Sequence, residues 1–163
     1  GSPDTSAFDE KKALEAKASE YDHFLTESPQ MFTTEAIEEA MQKVMDNYAG
    51  GISTHYQFNG KQLALAKEKI NHLIELTGDL YASDMHELMF IYELKERLTV
   101  CISVIAHLGA RKETRWHSFA ENLDDPDKSD DWMKYVNSRY ENGQLHMIYR
   151  ELVGREARYE HND

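Results

Sequence analysis

The segment ARKETRW, which follows a long apolar run, concentrates the side chains that could recognise another molecule. Arg111 and Arg115 stand four residues apart, a spacing that places two guanidinium groups on one face of a helix. Guanidinium groups bind carboxylates bidentately, so this pair with Lys112, Glu113 and Trp116 is a candidate docking motif. The alternative is a solvated helix end, since cations are favoured at a helix C-terminus. From the residues alone, the two interpretations have about equal support.

Metal chemistry has weaker support. A carboxylate-bridged metal centre in a helical bundle needs two Glu-x-x-His pairs on facing helices. The sequence has Glu20 with His23, whereas His72 and Glu75 stand in the reverse order. Capping or exposed positions explain these histidines, and we predict no metal ligands. The eight histidines and the high acidity leave one alternative open, a freestanding helical protein-interaction or metal-binding bundle.

Other catalytic patterns are incomplete or missing from the sequence. The acidic run after Leu123 resembles a calcium loop, but Asp130 stands where glycine is needed and Val136 where a bidentate glutamate is needed. Cys101 lies among apolar residues and is expected to pack as a small hydrophobe. The sequence has no glycine-rich phosphate loop, serine elbow or zinc-type cysteine pattern. We therefore predict no catalytic and no cofactor-binding residue on this chain.

Composition limits the classes of partner. With 18 basic and 30 acidic residues the net charge is -12, which disfavours binding to nucleic acid or to anionic lipid. The apolar run from Leu98 to Leu108 is shorter than the roughly 20 residues of a membrane span. One cysteine cannot form an internal disulfide, and a cytoplasmic location is expected. The opening GSPD is expected to be a cloning scar ahead of a fragment of a larger protein.

The elements that position the motif are predicted to be helical. Asn59 followed by Gln62 predicts a capping box, and Ser83 or Asp84 predicts the start of a long helix that is apolar almost all round from Leu98 onward. The pair Asn-Gly near the C-terminus predicts a tight turn between two strands. The predicted helices run from about 7 to 25, 34 to 50, 59 to 78 and 84 to 112.

Together these elements predict a mainly α fold: a three-helix bundle, spectrin-repeat-like, with an extra N-terminal helix and a small C-terminal β-hairpin. The expected divisions are a scar and disordered start at 1–6, an N-terminal helix and linker at 7–32, the helical bundle at 33–116, and an acidic loop, short helix, hairpin and polar tail at 117–163. In this arrangement Val104→Asp is expected to unfold the bundle, and Arg115→Ala to weaken assembly while leaving the isolated chain nearly as stable.

The motif also carries a resemblance. Ala110, Arg111, Lys112, Glu113, Thr114 and Arg115, followed by an acidic loop and DDWMKYV, resemble the C-terminal helical domain of the fumarate reductase and succinate dehydrogenase flavoprotein family. The resemblance runs from about Thr33 to Val136. The segments YAGGIST and KYVNSRYENGQLHMIY, and the Trp116 that follows the second arginine, look like the branch of adenylylsulfate reductase alpha subunits. Succinate dehydrogenases instead tend to have Gly-Ala-His at that point.

The resemblance implies a parent oxidoreductase with an FAD-binding domain and a capping domain, usually partnered by an iron–sulfur subunit. Family catalysis uses residues of those other domains, so no catalytic or flavin-binding residue is carried over to this chain. The docking motif of Arg111, Lys112, Glu113, Arg115 and Trp116 is then expected to pack the helical domain onto the flavin domain or onto the partner subunit. The chain alone is expected to be inactive.

Overall fold

Four helices form the body of the protein, whose computed structural model describes residues 9–27 and 32–153. They are α1 (Glu10–Leu25), α2 (Thr34–Tyr48), α3 (Gly60–Leu76) and α4 (Met85–Ala110). Each begins at a side-chain cap that accepts a hydrogen bond from the first turn, and the capping box predicted at Asn59 and Gln62 is present. The mainly helical fold is confirmed. The predicted scar at 1–6 and the polar tail beyond 153 lie outside the described residues.

The core forms where α2, α3 and α4 pack their apolar stripes together, and α1 adds Phe24 to its edge. Leu88, Ile91, Leu94 and Leu98 recur along one face of α4 at three- and four-residue spacing, and all are buried. The remaining buried apolar side chains are Ile37, Met41, Val44, Phe58, Leu63, Ala66, Ile70, Leu73, Leu80, Ala82 and Ile105. The bundle core is therefore built from helical periodicity, as predicted.

Two small β elements join the end of α4 to the bundle. Strand β1 (Gln57–Phe58) pairs in parallel with strand β2 (Glu121–Asn122), a contact that the sequence analysis did not predict. The predicted hairpin is present as β3 (Lys134–Glu141) and β4 (Gln144–Glu151). Its two-residue turn places Asn142 and Gly143 at positive φ, the conformation that favours an Asn-Gly pair.

The second half of α4 differs from its prediction. The helix was expected to be surrounded on nearly all sides from Leu98 onward, but Val100 and Val104 are exposed, with 40% of Val104 accessible. Positions 100, 104, 107 and 111 form a second stripe a little more than half a turn away from Leu98, on the opposite side of α4. Among the described residues, the hairpin covers the end of this stripe, where His107 Nε2 lies 3.0 Å from Ser138 Oγ. The expectation that Val104→Asp would place a charge in the core is therefore wrong.

Candidate functional site

The docking motif begins where α4 ends. The helix stops at Ala110 rather than 112, and Arg111 is its C-cap in an extended conformation. Arg111 and Arg115 consequently do not share a helical face, contrary to the sequence-based argument. They come together because both side chains turn toward the carboxylate of Glu113, which lies between them in the sequence.

Glu113 is enclosed by its partners, and 0% of its side chain is accessible. Its Oε1 accepts hydrogen bonds from Arg111 Nη1 at 2.6 Å and Arg115 Nε at 2.9 Å. Its Oε2 accepts from Arg115 Nη2 at 2.9 Å and from the backbone N–H of Ser129 at 3.0 Å. We call Arg111, Glu113 and Arg115 the Glu113 clamp. It is an internal ion-pair network that sequence reasoning placed on a surface.

The Glu113 clamp holds the hairpin and the acidic loop against the end of α4. Arg111 donates to the carbonyl oxygens of Trp132 at 2.8 Å and Lys134 at 3.0 Å, and Arg115 donates to that of Ser129 at 3.2 Å. Because the clamp supplies charged donors to backbone carbonyls, it fixes the start of β3. A pair of arginines two residues either side of a glutamate was the sequence signal that could have indicated this.

Electrostatics at Glu113 are dominated by its partners. Burial would by itself raise the pKa of the carboxyl group and is the largest single influence on it. Hydrogen bonds from Arg115, from the Ser129 backbone and from Arg111 together outweigh burial and lower the pKa from 4.5 to about 2. The carboxylate is therefore ionised at every physiological pH.

Acid should remove this contribution to stability. A carboxyl group whose pKa is lower in the folded than in the unfolded chain stabilises the fold above its unfolded pKa, and that stability is lost as pH falls toward the folded value. Lowering the pKa of Glu113 from 4.5 to about 2 corresponds to a stabilisation of the fold by about 3 kcal/mol. Urea unfolding of the wild type and of Glu113→Gln between pH 7 and pH 2 should show their difference in unfolding free energy shrinking below about pH 5. A difference that stays constant with pH would contradict this role of Glu113.

Arg115→Ala should destabilise the isolated chain. The sequence-based expectation of little effect loses its basis, because Arg115 has an internal partner. Loss of its bonds to a buried carboxylate is expected to lower the free energy of unfolding by about 1–3 kcal/mol, since Arg111 remains to pair with Glu113. Thermal melting of the wild type and the variant measures this. Equal melting temperatures would show that the arginine contributes nothing within the chain.

Trp116 and Lys112 differ from the Glu113 clamp in their exposure to solvent. Both are exposed, and Trp116 leaves 67% of its surface accessible. The indole stands at the start of a tight turn in which the N–H groups of Phe119 and Ala120 both bond to the Trp116 carbonyl. Phe119 is exposed as well, and the turn leads directly into β2. We call Trp116 and Phe119 the aromatic corner.

A groove of about 390 Å³ runs beside Trp116. Its apolar lining comes from Val104 and Leu108 of α4, Val136 of β3, and Phe58 and Ala120. Arg111, Glu113, Arg115 and His107 also line it. Sequence reasoning missed Val104 and Val136 as site residues, although the spacing of Val100, Val104, His107 and Arg111 along α4 was a signal for this face.

The candidate metal residues are engaged elsewhere. Glu20 pairs with Lys17 and Lys95, and His23 Nε2 lies 2.8 Å from the carbonyl oxygen of Gly78. Residues 9–27 and 32–153 contain no group of three His, Cys, Asp or Glu side chains placed to hold a metal ion. Within the same ranges, none of the helices has the length and apolar character needed to cross a membrane.

Comparison with known proteins gives the site a context. No protein-family model matches the chain. The adenylylsulfate reductase alpha subunit of Megalodesulfovibrio gigas is 31% identical over 100 residues, which is 61% of this chain. The structure of adenylylsulfate reductase from Archaeoglobus fulgidus superposes on 90% of this chain with a TM-score of 0.79 and 30% identity. The chain resembles one part of the adenylylsulfate reductase alpha subunit. The family resemblance predicted from ARKETRW is thus confirmed.

The chain covers only part of the length of each relative. The chain spans 15% of the length of the Megalodesulfovibrio gigas adenylylsulfate reductase subunit and 25% of the Archaeoglobus fulgidus chain. Quinol fumarate reductase from E. coli shows the same fold over 91% of this chain, with a TM-score of 0.68 and 19% identity. About nine-tenths of this chain therefore has the fold of about a quarter of each of these two larger chains.

Proposed function

We propose that this chain is the supporting helical domain of an FAD-dependent oxidoreductase of the fumarate reductase, succinate dehydrogenase and adenylylsulfate reductase type. The observation that carries the proposal is the superposition of 90% of the chain on a quarter of an adenylylsulfate reductase chain at 30% identity. In the proposed parent, FAD-binding and capping domains perform the chemistry. This domain stabilises them and supplies part of the contact with them or with an iron–sulfur subunit.

The described residues do not fit FAD, so we assign the flavin to the other domains. A dinucleotide site is usually built on a parallel strand, a glycine-rich turn and a helix N-terminus that meets the pyrophosphate. Here β1 and α3 have that order, but the strand is two residues long and the N–H of Gly60 already donates to Asp124 Oδ2 at 2.7 Å. An acidic side chain at that helix end would repel a phosphate.

A flavin titration tests this assignment. The purified chain mixed with equimolar FAD and passed through a desalting column is expected to lose all yellow colour and to have no reductase activity. Retention of one FAD per chain together with reductase activity would overturn the proposal. Metal analysis of the same sample addresses the alternative of a freestanding metal-binding bundle, which would contain one or more iron or zinc ions per chain.

We assign the docking role to the exposed part of the motif. The Glu113 carboxylate is fully enclosed between Arg111 and Arg115, so it supports the site from beneath. Lys112 and the aromatic corner are exposed, and Trp116 lines the same groove as Val104 of the exposed stripe on α4. Exposed aromatic side chains next to an apolar stripe are typical of an interaction surface rather than of a solvated one.

A further inference from the structure

We propose that the groove beside Trp116 receives an aromatic side chain from a partner polypeptide, and that an acidic group next to that side chain pairs with Arg111 and Arg115. This inference rests on the proposed docking function and names the chemistry of the partner segment. It differs from the expectation for the motif as a whole, because it assigns the binding surface to a groove that includes Val104 and Val136.

The apolar half of the inference comes from the shape and lining of the groove. At about 390 Å³ it lies at the small end of ligand sites and suits one side chain with its backbone, not a dinucleotide. Trp116 forms one wall, and aromatic pairs in edge-to-face or offset contact gain about 0.5–1.5 kcal/mol beyond their buried area. The aliphatic lining favours an apolar side chain over a polar one, and it is supplied by Val104, Leu108 and Val136.

The acidic group of the proposed partner is inferred from the charged side chains of the lining that remain accessible. The Glu113 carboxylate has 0% accessibility, whereas 31% of the Arg111 side chain and 24% of the Arg115 side chain remain accessible. Asp130 influences Arg115 through space but forms no salt bridge with it among the described residues. The lining of the groove therefore has two arginines against one glutamate, an excess of one positive charge on a chain of net charge -12.

Unused hydrogen-bond donors on Arg111 and Arg115 also favour an acidic partner. A guanidinium group has five N–H donors. Arg115 uses Nε and Nη2, and its Nη1 donates no hydrogen bond within residues 9–27 and 32–153. Arg111 uses Nη1 and Nη2, which leaves its Nε–H. A carboxylate from a partner can thus bind without breaking the Glu113 clamp.

Two small probes test the inference on the isolated chain. N-acetyl-phenylalanine carries the aromatic ring and a carboxylate, and N-acetyl-phenylalanine amide carries the ring alone. We expect both to shift the Trp116 indole N–H signal in a two-dimensional NMR titration at low salt. The carboxylate probe should bind roughly 2- to 5-fold more tightly, as an exposed ion pair of 0.5–1 kcal/mol predicts.

A matched pair of variants locates the binding. Val104→Asp places a negative charge in the lining of the groove and should abolish binding of N-acetyl-phenylalanine. Val100→Asp makes the same change one turn away, outside the lining, and should leave the affinity within about twofold. Equal binding of the two probes, no shift of the Trp116 signal, or equal losses in both variants would each overturn the inference. Those results would leave the flavin titration unaffected, so the proposed function is tested separately.

Discussion

Replacing Glu113 with glutamine is expected to lower the free energy of unfolding at neutral pH by about 2–3 kcal/mol. The amide keeps the shape of the side chain but leaves two guanidinium groups facing each other without a countercharge. Removing one member of a fully buried ion pair costs about 3–5 kcal/mol, and the arginines here are partly accessible, which lets water absorb some of that cost. Urea unfolding followed by circular dichroism gives the value.

An exposed glutamate provides the control. Glu39 pairs with Lys43 on the surface of α2, with 67% of its side chain accessible. Glu39→Gln should leave the unfolding free energy nearly unchanged, as is usual for exposed helical pairs. If Glu113→Gln were as mild as Glu39→Gln, the Glu113 clamp would not be the link that fixes the hairpin and loop to α4.

Leu98→Asp should unfold the protein. Leu98 is fully buried in the hydrophobic core of the bundle, so an aspartate there would lose its hydration. Burial of an unpaired charge together with loss of the leucine packing is expected to cost more than about 4 kcal/mol, a large part of the stability of a domain this size. Unfolding would be seen as loss of the helical circular dichroism signal at 25 °C, or as loss of the cooperative transition in a thermal melt.

Val104→Asp is the matched substitution on the same helix. Because Val104 lies on the partly exposed stripe of α4, the new carboxylate can reach water, and we expect a loss of less than about 1 kcal/mol. A folded Val104→Asp protein beside an unfolded Leu98→Asp protein would show that one side of α4 faces the core and the other faces out. Two unfolded proteins would contradict the exposure of that stripe.

Local sequence signals were sufficient for the elements of this fold. The Asn59 and Gln62 capping box and the Asn142–Gly143 turn depend on residues close together in the chain, and both are present as predicted. The long-range pairing of β1 with β2 depends on residues more than sixty positions apart, and each strand is too short to show a periodic pattern. It could not be predicted from the sequence.

The sequence analysis singled out the residues of ARKETRW but not their geometry. The prediction that Arg111 and Arg115 share a helical face required α4 to continue through them. The helix ends at Ala110, so Arg115 lies beyond it and reaches back to Glu113. Composition showed that the second half of α4 is apolar all round, but which side of it stays uncovered depends on the placement of the hairpin.

The most direct test of the docking role is assembly of the chain with the FAD-binding and capping domains of the parent flavoprotein that we propose for it, expressed as a separate polypeptide. We expect the wild type to bind them and Trp116→Ser to lose at least about tenfold in affinity, as is usual for a buried interface tryptophan. Tyr140→Ser removes an equally accessible ring from the hairpin and should lose less than about threefold. Failure of the wild-type chain to assemble, or equal losses for the two variants, would contradict the role proposed for the aromatic corner.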